Sequence, residues 1–201
     1  YNILYGDLHR PDVWDQLDMH LQKSFQKSDG TVLKVGCACI DSGGHFTNEV
    51  YRFCKSRTSR NVFAIKGRAG GEVPFIGRAS TGNRQQTPLF LIGVDTGKSF
   101  VMDRLKVQYP GPGYCHFSGD EEHRYTGEYF KGLTAEKRVV TYRKGQSMYA
   151  WELRNKGYRR NEPLDIRDYA TAALEIANPA LEGMARRRTT KRRRVRSSGI
   201  Q

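Results

Sequence analysis

Apolar residues recur at helical spacing through Trp14, Leu17, Leu21 and Phe25, with Pro11 placed to open a helix and Ser28-Asp29-Gly30 to end it. The stretch 31–40 is almost wholly apolar and rich in β-branched residues, which predicts a strand buried on both faces. It stops at Asp41-Ser42-Gly43-Gly44-His45. Residues 47–57 return to helical spacing, with Val50, Phe53 and Cys54 on one face and Thr47 as the N-cap. Residues 61–67 and 88–94 predict two further strands, separated by a glycine-rich loop or lid over 67–83. A helix or strand over 101–107, short strands at 139–142 and 149–153, and an Ala-rich helix from 162 to 177 complete the pattern. Strands alternating with helices imply an α/β fold with a mixed central sheet flanked by helices.

A chain of 201 residues fits one domain, or one domain plus a tail, and no internal repeat is visible. Only 37% of residues are hydrophobic, yet 9 Phe, 11 Tyr and 2 Trp suffice for a core. No apolar stretch approaches the roughly 20 residues of a membrane span. The opening Tyr1-Asn2-Ile3-Leu4-Tyr5 carries no signal-peptide pattern and no initiator Met, so a piece of a longer protein is expected. Cys37, Cys39, Cys54 and Cys115 form no CxxC pair and are expected to be reduced, core-filling thiols of a cytoplasmic protein.

The net charge of +13 is uneven. From Arg186 on there are eight basic residues and no acid, leaving 26 basic against 21 acidic residues in 1–185, a net of +5. The division expected is a folded domain over 1–180 and a basic tail over 181–201 too poor in apolar residues to order itself. Arg186, Arg187, Arg188, Lys191, Arg192, Arg193 and Arg194 suit a polyanion-binding arm, a localisation signal or an ordinary solvated tail. Lys66 and Arg68, beside the glycine-rich segment, suit backbone phosphates or a solvated face.

Asp41 follows a strand that reads as buried, where a carboxylate is costly unless paired, protonated or bound to a cation. Asp95 repeats that arrangement after the third strand, and ligands of open α/β sheets sit at the carboxyl ends of strands. Asp165, with Asp168 nearby on the last helix, would complete a three-carboxylate cluster suited to two Mg²⁺ or Mn²⁺ ions and to in-line displacement at phosphorus. Each of these aspartates also has an ordinary reading as a turn or cap residue. Lys98 and His45 are secondary candidates for phosphate contact, while Glu49 faces either the metal site or solvent. Residues 93–99 have three residues between Gly93 and Gly97 where a Walker A loop needs four, and no GxSxG elbow is present.

Several of these residues fall into a pattern that resembles the C-terminal nuclease domain of lambda-type phage terminase large subunits. The matching segments are Cys39-Ile40-Asp41-Ser42-Gly43-Gly44-His45 with Thr47, Val50, Tyr51, Phe53 and Cys54; Ala64-Ile65-Lys66-Gly67; and Gly93-Val94-Asp95 with Lys98. Leu133-Thr134-Ala135-Glu136 and Asn161-Glu162-Pro163-Leu164-Asp165 with Tyr169-Ala170 follow in order, so the match spans about 1–177. The resemblance implies a ribonuclease H-like fold and metal-dependent cutting of double-stranded DNA during genome packaging in the host cytoplasm. It makes Asp41 the first-strand metal ligand, Asp165 the ligand of the last helix and Asp95 the choice for the second acid. It further implies an ATPase domain ahead of the chain, and as partners a small terminase subunit, a portal protein and other motor subunits. The rival expectations are a non-catalytic DNA-binding or portal-docking module and, more remotely, a nucleotide-binding domain using residues 93–99.

Overall fold

The computed structural model describes residues 1–119, 121–143 and 145–178. The basic tail and its arginines and lysine lie outside the described residues. Helix α1 (Pro11–Leu21) begins at the proline, whose missing N–H costs nothing in a first turn. A short antiparallel pair follows, β1 (Ser24–Gln26) and β2 (Val32–Lys34), then β3 (Ala38–Asp41) and α2 (Thr47–Lys55). The strand expected over 31–40 is therefore two: the chain leaves β2 through Val35-Gly36-Cys37, β2 is exposed, and only β3 joins the central sheet.

That sheet runs β3–β4–β5, with β4 (Val62–Arg68) central and β5 (Leu89–Gly93) on the far side, all parallel. The expected antiparallel contribution is limited to two bridges, Ile76 with Ile92 and Ser80 with Leu89, where the glycine-rich loop folds along β5. Helix α3 (Val94–Leu105) starts directly on the end of β5, so the helix or strand expected over 101–107 is a helix that begins seven residues earlier and takes in Asp95-Thr96-Gly97-Lys98. After α4 (Gly127–Leu133) a second antiparallel ribbon, β6 (Glu136–Arg143) with β7 (Gln146–Leu153), forms a sheet of its own. Helix α5 (Glu162–Ala177) matches the Ala-rich helix expected there.

Alternation along β4 sorts the two sheet faces. Val62 and Ala64 pack with Val50, Phe53 and Cys54 of α2, backed by Trp14 and Leu17 of α1. Ile65 turns the other way and meets Ile92, Phe75 and Ala172 of α5. A third cluster, Val101, Tyr129, Leu133 and Leu164, locks α3, α4 and α5 together. The result is a three-layer α/β/α arrangement, and the layer holding α3 and α5 carries the chemistry below.

Candidate functional site

The period of two in β3 decides where Asp41 points. Ile40 packs on the α2 side and Cys39 on the α5 side, so Asp41, two residues on, shares the face of Cys39. At this exposed strand end the Gly43 N–H donates to Asp41 Oδ1 at 2.9 Å, and the Tyr169 hydroxyl on α5 donates to Oδ2 at 3.4 Å. Tyr169 lies 128 residues downstream of Asp41 in sequence. Burial, and then the charges of Asp41, Asp165 and Asp168, raise the Tyr169 pKa, so the hydroxyl keeps its proton and remains a donor.

On α5, Asp165, Asp168, Tyr169 and Ala172 fall at the three- and four-residue steps of one helical face. Asp165 meets the Lys98 ammonium of α3 at 3.2 Å and accepts from Asn161 Nδ2 at 3.2 Å. The same ammonium donates to both oxygens of Glu136 at 2.8 and 2.9 Å, and Asn161 reaches Glu136 Oε1 at 2.6 Å. Burial alone would lower the Lys98 pKa, but Glu136 and Asp165 outweigh it and keep the amine charged. Burial raises the Asp165 pKa, Lys98 opposes this, and Glu136 and Asp41 reinforce it. Asp41 and Asp165 are thus close enough to repel each other.

Asp168 lies deeper. It is fully buried, neither carboxyl oxygen has a hydrogen-bond partner, and burial pushes its pKa up to about 7. It packs against Gly97 of α3, where a Cβ would come within 1.8 Å of Asp168 Oδ1 and 2.4 Å of Phe75 Cε2. Only glycine lets the two helices approach this closely.

The remaining candidates divide by position. Asp95 is buried in the first turn of α3, where its carboxylate accepts from the Gly70 N–H at 2.7 Å. The strands leading to Asp41 and Asp95 flank β4, two interstrand steps or about 10 Å apart. Asp168 feels both Asp165 and Asp95, which ties Asp95 electrostatically to the group. Lys66 and Arg68 are exposed at the carboxyl end of β4, and Ile65, just ahead of them, is the register partner of Asp41. His45 is exposed in the turn after Asp41. Glu49 does not join: it lines a cavity of about 320 Å³ between α1 and α2, in the opposite helical layer. Arg57 and Arg60 both pair with Asp18, the former at 2.7 Å, and so tie the end of α2 to α1.

Glu136 is the participant that sequence reasoning passed over, although Leu133-Thr134-Ala135-Glu136 stood among the matching segments. It begins a strand and is charged, which usually marks a solvated position; here it is buried. Among the described residues no three His, Cys, Asp or Glu side chains are arranged to hold a metal ion. The donor chemistry nevertheless suits a hard divalent cation. All the acceptors are carboxylate oxygens, burial and then the acidic neighbours Glu136 and Asp41 push the Asp165 pKa up, and Mg²⁺ commonly takes only one or two protein carboxylates together with water and phosphate oxygens.

Comparisons with known proteins agree on one family. The family profile described as terminase large subunit gpA, endonuclease domain, matches residues 1–188. A terminase large subunit of Enterobacteria phage P21 is 31% identical over 176 residues, covering 84% of this chain and 27% of that protein. A terminase large subunit of Escherichia phage lambda is 29% identical over 166 residues, covering 81% of this chain and 25% of its own length. The chain therefore spans about a quarter of the curated relatives it matches. No solved structure gives a significant match.

Proposed function

The chain belongs to the gpA endonuclease-domain family of terminase large subunits, and we propose that it cuts double-stranded phage DNA by two-metal-ion phosphodiester hydrolysis at the Asp41–Asp165 site. The observation that carries this reading is the meeting of Asp41, at the carboxyl end of the first parallel strand, with the Asp165–Asp168–Tyr169 face of the last helix. Two acidic groups so distant in sequence, at the sheet end where α/β folds bind ligands, make a poor structural pairing and a good cation site.

Asp41 and Asp165 would hold Mg²⁺ or Mn²⁺, with Asp95 proposed as the third acid on its electrostatic link through Asp168. Bound divalent ions supply Lewis-acid assistance to in-line displacement at phosphorus. The chain's own residues do the rest. Tyr169 and the Gly43 N–H fix the Asp41 carboxylate while leaving it open to solvent. Lys98, clamped by Glu136, holds Asp165 in place together with Asn161. Lys66 and Arg68, exposed at the carboxyl end of the neighbouring strand β4, offer positive charge to the DNA backbone, and the basic tail adds more. A ribonuclease H-like identity for the fold, a C-terminal place in a longer subunit behind an ATPase domain, and the small subunit, portal and other motor subunits as partners in the host cytoplasm belong to the same proposal.

The test is Mn²⁺-dependent nicking of supercoiled plasmid by the chain and by its D41N and D165N variants. Loss of at least about a hundredfold in both variants, with unchanged thermal unfolding, is the expected result. Undiminished cutting by either variant refutes the assignment. Retention of the wild-type chain on DNA without cleavage at any metal concentration identifies the non-catalytic module instead.

A further inference from the structure

The β6–β7 ribbon stands outside the central sheet, and its register places Glu136, Arg138, Val140 and Tyr142 on one face with Leu153, Trp151, Tyr149 and Ser147. This face begins at the buried carboxylate that grips Lys98 and runs outward for about 25 Å. Along it the side chains grow more exposed: Trp151 is half-buried, Tyr149 is 54% exposed and Tyr142 is 78% exposed. The Arg138 guanidinium lies 4.7 Å from the Tyr149 ring centroid.

At its base, between the ribbon and α3, lies a cavity of about 400 Å³. Glu136 is part of its wall, so cavity and carboxylate site share a residue. Trp151 is held there by its indole N–H, which donates to Asp95 O at 3.0 Å. Lys106, Lys137, Arg138 and Arg154 line the same cavity. Lys106 is matched by Asp103 and Lys137 by Glu152, whereas Arg138 and Arg154 form no ion pair with a described carboxylate. Arg154 instead donates to the carbonyls of Thr134 and Glu136.

We propose that this cavity and the ribbon face above it bind an unpaired stretch of a DNA strand. One nucleotide would sit in the cavity with its phosphate toward Arg138 and Arg154, and neighbouring bases would stack on Tyr149 and Tyr142. A cavity of this size accommodates one nucleotide, not the width of a duplex. Exposed rings one two-residue step apart along the ribbon, beside guanidiniums that have no ion-pair partner among the described carboxylates, are the combination that single-strand binders use, because every base has a stacking face and every nucleotide a phosphate. An acidic peptide would satisfy the arginines but leave the tyrosine row without a role, and a paired base keeps its faces inside the helical stack.

Binding of this kind needs no metal, so the test is run on the full chain in EDTA, where its outcome is independent of the nuclease reading. Labelled oligothymidylate, a duplex of equal length and free dTMP are titrated while anisotropy and tryptophan emission are followed. Oligothymidylate is expected to quench emission in the wild type but not in the W151F variant, whose remaining tryptophan is Trp14. Tyr149→Ala is expected to weaken oligothymidylate binding by about five- to a hundredfold and duplex binding by less than about threefold. Arg138→Ala should weaken the single strand more than the duplex. The proposal is overturned if Trp151 emission ignores the oligonucleotide, if Y149A weakens both DNA forms alike, or if dTMP alone quenches at the concentrations at which the oligonucleotide does.

Discussion

Asp168 is the residue with the least comfortable surroundings, a fully buried carboxyl with two unpartnered oxygens. Burial raises its pKa to about 7, against about 3.9 for a carboxyl in an unfolded chain. The folded state therefore holds this proton more tightly than the unfolded state does. The resulting stabilisation is complete below about pH 4, declines as pH rises towards 7, and is gone above that, a change of up to about 4 kcal/mol. Urea unfolding in EDTA should show the wild type losing stability relative to D168N between about pH 4 and pH 7. Parallel pH profiles for the two proteins would contradict the burial argument. Gly97 sets the same contact from the other side. The G97A variant should lose about 1–3 kcal/mol, or fail to fold, because its new methyl lands on Asp168 and Phe75 together.

At the scale of elements, the Lys98–Glu136 pair joins α3 to β6, and Asp165 and Asn161 bring in the start of α5. Removing one partner leaves the other charge buried, which costs about 3–5 kcal/mol in such pairs. Calorimetry should find Glu136→Gln and Lys98→Met each strongly destabilising, and the double variant closer to wild type than the sum of the two losses; additive losses would show that the pair is not coupled. The same elements show how far the sequence could be read. Helix α5 and strands β4 and β5 were legible from their patterns, and α1 was legible at its start, where Pro11 opens it; its apolar spacing runs on to Phe25, but the helix stops at Leu21 and Phe25 belongs to β1. Helix α3 was hidden at its start, since Asp95-Thr96-Gly97 reads as a turn until Asp168 supplies the reason for the glycine. The two short strand candidates at 139–142 and 149–153 proved to be parts of two paired eight-residue strands, whose exposed face lacks a clean alternation of apolar and polar residues. In the site, Asp41 and Asp165 stood out as carboxylates attached to apolar elements. Glu136 did not, because its partner is a lysine 38 positions earlier and no local pattern announces a pairing at that range.

Over the whole molecule, basic residues without a matching acid gather in three stretches of the sequence. Lys66 and Arg68 are exposed at the carboxyl end of β4, Arg138 and Arg154 lie at the ribbon base, and eight of the 34 basic residues follow position 185. If all three regions contact phosphate, each contributes to the counterions released on binding, and each phosphate neutralised adds about −0.9 to the slope of log K against log salt concentration. Cutting the chain after residue 185 lowers the net charge from +13 to +5 without touching the carboxylate site. The truncated chain should bind duplex DNA with a slope shallower by up to about 7, and its plasmid nicking should be restored at low salt, where weaker binding no longer limits the rate. An unchanged slope would mean that the arginines of the tail do not touch DNA and would leave them to an acidic protein surface. A slope that falls while nicking stays lost at low salt would mean that the tail also positions the cut, a role beyond electrostatic capture.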